Sequence, residues 1–145
     1  MVKILIKKLH KNIKLPIYKT AGSSGMDLVA CIKNKITINP SKTAIIPTGI
    51  AVAIPKNYEI QIRPRSGLAA NKSISVLNTP GTIDSDYRGE IKIILINLSK
   101  KTFVVKLGDR VAQMVICPVV RGKLKEVKNL PKTIRDKGGF GSTGK

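Results

Sequence analysis

The chain is poor in the residues that most often carry chemistry: it has one histidine, two cysteines, five aromatic residues and no tryptophan. His10 is the only histidine and lies in the first strand region, which argues against a histidine-based triad or metal site, so we expect a carboxylate as general base and water as nucleophile. Cys31 and Cys117 are far apart and show no metal-ligand spacing. Their placement argues against a zinc site or a disulfide framework and favours a reducing compartment.

Long hydrophobic runs are also absent. No stretch approaches the roughly 18 apolar residues of a membrane span. The N-terminal segment, Met1 to Lys8, carries charges inside its apolar stretch and no small-residue cleavage site, which is more typical of a first strand than of a signal peptide. We therefore predict a cytoplasmic protein that has no membrane partner.

Acidic residues are scarce, with 8 against 27 basic residues and a formal net charge of +19. This balance alone favours a polyanionic partner, and a basic nucleic-acid-binding module is one alternative for the function. However, 21 of the basic residues are lysines scattered along the chain, and only five aromatic residues are available for base stacking. We interpret the lysine excess as a solvated surface and expect no specific nucleic-acid partner.

Short isoleucine- and valine-rich runs separated by turn residues dominate what is present, in a chain of 145 residues that suits one domain. The pattern predicts an all-β fold, a sandwich, jelly roll or barrel, with one short helix over residues 66–72. Glycine-rich sequence from Pro131 onward predicts a flexible C-terminal arm over 131–145 after a β domain over 1–130. Strands are predicted over residues 2–9, 28–32, 35–38, 43–46, 50–54, 59–63, 74–77, 91–97, 102–105, 111–117 and 123–127.

The segment Gly81 to Glu90 holds three of the eight acidic residues and runs directly into the strongest predicted strand. A polar loop at the end of a rigid strand is a suitable place for a reactive carboxylate. Asp84 and Asp86 are the candidates for the general base. Their spacing does not rank them, because residues two apart share a side in a strand but not necessarily in a turn.

The segment RPRSGLA, residues 63–69, combines a strand end, an arginine, a serine and a helix start. Helix N-terminal amides with a guanidinium and a hydroxyl can bind phosphate, although a serine-capped helix with a surface arginine has the same sequence. Two further segments, AGSSGMDL at 21–28 and GDRVAQM at 108–114, are each more typical of structural turns. The arm is either a floppy terminus or a lid that closes over an anion.

Taken together, AGSSGMDL, RPRSGLA, NTPGTIDSDYRGE, GDRVAQM and RDKGGFGSTG resemble, in order, the five motifs of the trimeric deoxyuridine triphosphatase (dUTPase) family. The resemblance spans nearly the whole chain. It implies a β jelly roll in a homotrimer, with active sites at subunit interfaces and the C-terminal arm closing over them. It also implies Mg²⁺-dependent hydrolysis of dUTP to dUMP and pyrophosphate, which supplies dUMP for thymidylate synthesis and keeps uracil out of DNA.

The resemblance assigns a role to each matching position. Asp84 activates the attacking water, Tyr87 packs against deoxyribose, and Asp27 lies near Mg²⁺ and acts through water. Uracil is read by Asn78 and the hairpin backbone, with Lys92 as a possible further backbone contact; the substrate-binding hairpin residues are Gly81, Thr82 and Ile83. The phosphates are bound by Arg65, Ser66, Gly67 and Gln113. The arm adds Arg135, Gly141, Ser142 and Thr143, and Phe140 stacks on the base.

The arm departs from the family pattern at one position, since Asp136 follows Arg135 where the family often has glycine. Two related activities remain as alternatives. A deoxycytidine triphosphate deaminase of the same superfamily would need an additional acid for deamination, whereas the third motif matches the triphosphatase. A catalytically silent nucleotide-binding regulator is disfavoured by the presence of Asp84.

Overall fold

A computed structural model describes residues 1–139 of the chain. Strands make up most of its regular structure, and the helix occupies the predicted residues. The strands are β1 Leu5–Lys8, β2 Gly25–Val29, β3 Ile36–Ile38, β4 Thr43–Ala53, β5 Tyr58–Arg63, β6 Ile74–Val76, β7 Gly81–Ile83, β8 Glu90–Asn97, β9 Phe103–Val105 and β10 Arg110–Pro118, and the helix α1 is Ser66–Lys72.

The strands form two four-stranded sheets and one two-stranded sheet, and every pairing is antiparallel. The first sheet has the order β1-β4-β8-β6, the second β2-β10-β5-β7, and β3 pairs with β9. The predicted all-β, jelly-roll-like fold class is confirmed. Neighbouring strands in each large sheet are distant in sequence, so loops from different parts of the chain meet at the sheet edges.

Both large sheets supply one aliphatic core. Strand β8 shows the pattern, because Ile91, Ile93 and Leu95 are buried whereas Lys92 between them is exposed. Alternation of this kind sends one set of side chains into the core and the other to the opposite face of the sheet. The core-facing side chains hold β8 rigidly, and the opposite face is free to contribute to a site.

A bulge in β4 interrupts its pairing with β8. The ladder runs regularly to Pro47 opposite Lys92 and then shifts, so that Ala51 lies opposite Glu90. Gly49 in the bulge has a φ of +68°, a left-handed conformation that favours glycine, and a Cβ there would collide with the side chain of Ile13.

Three strand predictions differ from the structure. The strand predicted over 123–127 is wrong: residues 119–139 hold no strand or helix, because an alternating pattern forms a strand only where a partner strand is available. The two strands predicted over 43–46 and 50–54 are one, β4. Strand β7 was not predicted, since three residues that begin with glycine give too weak a signal. Within residues 1–139, no helix has the length and apolarity needed to cross a membrane.

Candidate active site

The segment over residues 74–83, which the resemblance describes as a hairpin and for which we keep that name, crosses between the two large sheets: β6 and β7 do not pair with each other. It forms one side of the main candidate cavity. Strand β6 belongs to the first sheet and β7 to the second, and only residues 77–80 separate them. The crossing is fixed at both ends: the amide of Leu77 donates to the carbonyl of Ile94 at 2.8 Å, and Gly81 lies opposite Ile62 of β5. The loop between the strands is thus held at a junction of two rigid surfaces.

The cavity at this junction has a volume of about 260 Å³. Its apolar lining comes from buried side chains of both sheets, and its polar groups come from the hairpin, the following loop and the exposed face of β8. The lining residues are Ile62, Val76, Asn78, Gly81, Thr82, Ile83, Asp84, Tyr87, Glu90, Lys92, Ile93 and Ile94. The structure therefore brings together all seven third-motif and β8 positions that the resemblance links to the nucleoside and the attacking water.

Gly81 lets the Asn78 amide lie against the hairpin backbone. A Cβ at position 81 would lie 3.1 Å from Nδ2 of Asn78 and 3.4 Å from Cβ of Ile62. The contact with Nδ2 is tighter than most Cβ contacts, so a side chain at position 81 would push the amide away slightly, and glycine permits the close approach. The arrangement places a side-chain amide beside backbone N–H and C=O groups, which is a suitable donor and acceptor set for the edge of a planar base.

The structure separates the two acids that sequence spacing left unranked. Asp84 lines the main cavity, whereas Asp86 does not. Asp86 lines a second recess of about 250 Å³ on the other side of the loop, together with Glu59, Arg121 and Asp84 itself. Only Asp84 of this pair can therefore reach a ligand in the main cavity.

Tyr87 is held by its backbone and by its hydroxyl group. Its amide donates to the carbonyl of Asp84 at 3.1 Å, and its hydroxyl donates to the carbonyl of Glu90 at 3.0 Å. The ring lies directly over Gly89, where an added Cβ would collide with it. Because 43% of Tyr87 is exposed, the ring remains available as a wall of the cavity.

Arg88 closes the same loop from the outside. Its Nη1 donates to the carbonyls of Ser85 and Tyr87, at 2.7 and 2.8 Å. These hydrogen bonds tie the backbone between the candidate base and the aromatic wall into one compact turn.

A second cluster lies where β2, β5 and β10 end or begin. Nε of Arg65 donates to Oδ1 of Asp27 at 2.8 Å, and Nη1 of Arg110 donates to Oδ2 at 3.1 Å. The side chains of Arg65 and Asp27 are 23% and 20% exposed, and that of Arg110 is 54% exposed. One carboxylate thus orients two guanidinium groups whose remaining N–H groups can reach an anion.

Gln113 and α1 complete this cluster. Nε2 of Gln113 donates to the carbonyl of Pro64 at 3.0 Å, and Gly25 on the neighbouring strand leaves space for the amide, since a Cβ there would collide with Oε1. Arg65 is the N-cap of α1, and no side chain caps the helix. The serine-capped alternative for RPRSGLA is therefore wrong, and Ser66 and Gly67 are exposed at the helix start.

The two clusters do not form one site within a single chain. The main cavity is lined by none of Asp27, Arg65, Ser66, Gly67 and Gln113. Arg135 lies in the arm, where its Nε donates to the carbonyl of Gly138 at 2.9 Å. The predicted arm residues Phe140, Gly141, Ser142 and Thr143 lie outside the described residues.

Few side chains among residues 1–139 are placed to bind a metal ion directly. Among residues 1–139, no three acidic, histidine or cysteine side chains gather as a metal site. Both oxygens of Asp27 accept hydrogen bonds from arginines, which leaves that carboxylate suited to contact a hydrated metal rather than to bind it directly. This donor set fits a metal ion that is carried by phosphate oxygens of a ligand.

Cys31 is poorly suited to act as a nucleophile. Burial raises the pKa of its thiol, and the nearby negative charge of Glu90 raises it further. The thiol therefore stays protonated and unreactive at neutral pH.

Sequence reasoning missed three residues of these clusters: Arg110 on Asp27, Glu90 as a lining residue, and Gly25 beside Gln113. A glycine inside a strand is a known signal for close approach of another group, so Gly25 could have been found. The contacts of Arg110 and Glu90 join residues 83 and 41 positions apart and give no local signal.

Comparisons with known proteins identify the family. Residues 11–144 match the family model of the dUTPases. The chain is 54% identical over 143 residues to deoxyuridine 5'-triphosphate nucleotidohydrolase of Hydrogenobaculum sp. (99% of each protein), and 58% identical over 134 residues to that of Caldanaerobacter subterraneus (92% of this chain, 90% of the relative). A solved dUTPase variant of Staphylococcus bacteriophage 80alpha with dUpNHpp is similar at a TM-score of 0.86 and 25% identity, covering 98% of each chain.

Proposed function

The chain belongs to the dUTPase family, and on that premise we propose that it hydrolyses dUTP to dUMP and pyrophosphate with Mg²⁺, by attack of a water molecule that Asp84 activates. The relatives named above are deoxyuridine 5'-triphosphate nucleotidohydrolases. The observation that carries the proposal is the convergence of Asn78, Asp84 and Tyr87 on one cavity at the junction of the two sheets.

The main cavity suits a deoxyuridine. The Asn78 amide and the backbone of Gly81 to Ile83 offer donors and acceptors to the uracil edge, with Lys92 at the mouth, and the apolar lining suits the faces of the base. Tyr87 provides a wall against deoxyribose. A rigid ring in that place leaves no room for a 2′-hydroxyl, so the discrimination is steric.

The reaction needs a positioned water and neutralised phosphates more than covalent participation by the protein. Asp84 accepts a hydrogen bond from the water and takes its proton as the oxygen attacks phosphorus in line with the leaving group. Arg65, Ser66, Gly67 and Gln113 hold the phosphate oxygens. Asp27 would hold the hydration shell of a Mg²⁺ ion bound with the triphosphate, and that ion would supply neutralisation of phosphate charge.

The separation of the two clusters supports assembly. A nucleoside in the main cavity of one chain needs phosphate-binding groups, and those of the same chain do not line that cavity. We propose a homotrimer in which a neighbouring subunit presents Arg65 and Gln113 to the phosphates. Sedimentation at several concentrations tests it: a monomer that is fully active would overturn this part of the proposal.

The arm completes the site in this scheme. The proposed domain division is a β jelly roll over 1–130 and a closing arm over 131–145, although the last strand among residues 1–139 already ends at Pro118. Arg135, Ser142 and Thr143 reach the terminal phosphates, Gly141 allows close approach, and Phe140 stacks on uracil. An arm that closes on another subunit's ligand needs no core of its own.

The proposed role is to supply dUMP for thymidylate synthesis and to keep uracil out of DNA, in the cytoplasm. The two cysteines support a reducing compartment, since both Cys31 and Cys117 are free thiols.

Release of pyrophosphate from dUTP, dCTP, dTTP and UTP in the presence of Mg²⁺ tests the activity. We expect dUTP to be the preferred substrate by at least about 10-fold in kcat/KM over each of the others. Equal rates on dCTP and dUTP, or release of ammonia from dCTP, would contradict the assignment and favour the deaminase alternative.

A further inference from the structure

The carboxylate of Glu90 forms a hydrogen bond with the backbone of the β4 bulge. Glu90 is the first residue of β8 and lines the main cavity. Its Oε1 accepts a hydrogen bond from the amide of Gly49 at 2.8 Å. Gly49 is buried, and the shift in the β4–β8 ladder removes its amide from the regular pairing, so the carboxylate supplies the partner that the ladder does not.

The backbone of the same residue holds the tyrosine. The carbonyl of Glu90 accepts the hydrogen bond of the Tyr87 hydroxyl at 3.0 Å. The next carbonyl, that of Ile91, accepts a hydrogen bond from the buried hydroxyl of Thr48 at 2.6 Å. The start of β8 is therefore fixed to the bulge at two successive residues, and the ring of Tyr87 hangs from the first of them.

We propose that Glu90 is a positioning residue for sugar recognition: its carboxylate, through Gly49, fixes the carbonyl that holds the Tyr87 ring against deoxyribose. This inference rests on the proposed function and extends it. The Tyr87 ring can exclude a 2′-hydroxyl only if the ring does not move when a ribonucleotide enters. Because the ring lies on an exposed loop, its rigidity depends on the Glu90 carbonyl to which its hydroxyl is bonded. The bulge is the rigid part, because Thr48, Gly49 and Ile91 are buried.

We assign Glu90 a structural task that differs from the task of Asp84 as general base. The Gly49 amide already holds one of its oxygens, and the carboxylate spans to the opposite strand. Asp84, by contrast, lies on the loop before Tyr87 and takes no part in the hydrogen bonds between β8 and the β4 bulge. The two acids that line the cavity thus have different tasks: Asp84 activates the water, and Glu90 positions the Tyr87 ring.

The test compares kcat/KM for dUTP and UTP in Glu90→Ala, Glu90→Asp and Glu90→Gln. Glu90→Ala removes the acceptor, and we expect the dUTP/UTP ratio to fall by about 10-fold, the lower end of what a steric pocket supplies. Glu90→Asp keeps the charge but withdraws the oxygen by one methylene, so a smaller fall in the same direction is expected. Glu90→Gln keeps an oxygen acceptor at the same reach and should retain the ratio.

Asn97→Ala is the matched control for lost stability. Asn97 is buried and donates to the carbonyls of Ile38 and Lys101, away from the cavity. Its replacement should lower the melting temperature without changing the dUTP/UTP ratio. If Glu90→Ala lowers kcat/KM for dUTP and UTP by one common factor, as a merely structural loss does, the inference is wrong.

Affinities for dUDP and UDP, measured by calorimetry, give the same comparison without turnover. The dUDP/UDP affinity ratio should fall in Glu90→Ala and Glu90→Asp and stay at the wild-type value in Glu90→Gln. Failure of the proposed function has a different signature, since the wild-type protein would then release no pyrophosphate from dUTP. A wild-type protein that prefers dUTP, together with a Glu90→Asp variant of undiminished preference, would overturn the inference alone.

Discussion

The proposed nucleoside cavity and the proposed phosphate cluster around Asp27 are built in opposite ways. The loop that lines the cavity is held by short hydrogen bonds between near neighbours, with buried isoleucine and valine behind it. The cluster joins Asp27 of β2 to Arg110 of β10 and to Arg65, the N-cap of α1, and leaves guanidinium N–H groups exposed. In the proposed function, the chain by itself forms the surface that recognises shape, whereas the groups that recognise charge act only with a ligand and a neighbouring subunit.

The difference follows from what each partner demands. Rejection of one methyl or hydroxyl group depends on walls that do not move, and such walls need core packing behind them. Phosphates demand dense positive charge, and cations that were buried together without their ligand would repel one another. In the proposed site, the Asp27 carboxylate reduces this repulsion, because it holds Arg65 and Arg110 in place before an anion binds.

Asp84→Asn would sharpen the comparison most, because it removes the chemistry and leaves both binding regions intact. The amide keeps the shape of the carboxylate but takes no proton, so we expect kcat to fall by about 100- to 10,000-fold. Affinity for a non-hydrolysable dUTP analogue should stay within about threefold of the wild-type value. Single-turnover kinetics and calorimetry measure the two quantities.

Asp86→Asn is the control for this experiment, since it makes the same change two residues away, on the second recess. It should retain most of the activity. An active Asp84→Asn protein together with an inactive Asp86→Asn protein would transfer the role of base to Asp86 and separate the chemistry from the main cavity.

Asp27→Asn tests the other half of the comparison. The amide cannot accept equally from two guanidinium groups, so Arg65 and Arg110 lose their common anchor. A charged hydrogen bond of this exposure is worth roughly 1.5 kcal/mol, which corresponds to an increase of about 10-fold in KM for dUTP. The dUTP/UTP ratio should not change, because the sugar wall is elsewhere.

Asp109→Asn provides a matched loss of charge near the same strand. Its carboxylate accepts from the amide of Lys106 in an exposed turn and contacts neither arginine. A KM that rises equally in both variants would show that net charge, rather than the orientation of Arg65, governs phosphate affinity.

The sequence predicts the secondary structure of the site better than its contacts. Helix α1 occupies the predicted residues because a short alanine-containing segment between turns is a local signal. Strand β7 escaped prediction although it carries Gly81, Thr82 and Ile83, since its stability comes from pairing with β5 rather than from its own residues. The alternating residues 123–127 show the reverse case, a strand pattern that has no partner strand.

Roles within the site that belong to motif residues can be predicted from the sequence, whereas contacts between distant segments cannot. The resemblance assigns roles to Asp84 and Tyr87 from motif residues alone. It gives no account of the hydrogen bond from Gly49 to Glu90, which depends on a ladder shift in β4. It also does not indicate that Asp27 binds both Arg65 and Arg110, because three segments distant in sequence must first meet in the second sheet.

Asp136→Gly is expected to have the smallest effect and addresses the phosphate side through the arm. Asp136 has a φ of +41°, in the left-handed region that glycine adopts without cost, which accounts for the glycine that the family often has there. Removal of a side chain from a left-handed position and loss of a negative charge near the phosphates should lower KM by roughly two- to fivefold, which corresponds to about 0.4 to 1 kcal/mol of binding free energy. Asp136→Asn removes the charge and keeps the side chain, so the difference between the two variants isolates the backbone contribution. A chain that ends at residue 130 sets the limit without an arm; if it is as active as the full chain, the arm plays no part and the site is complete without it.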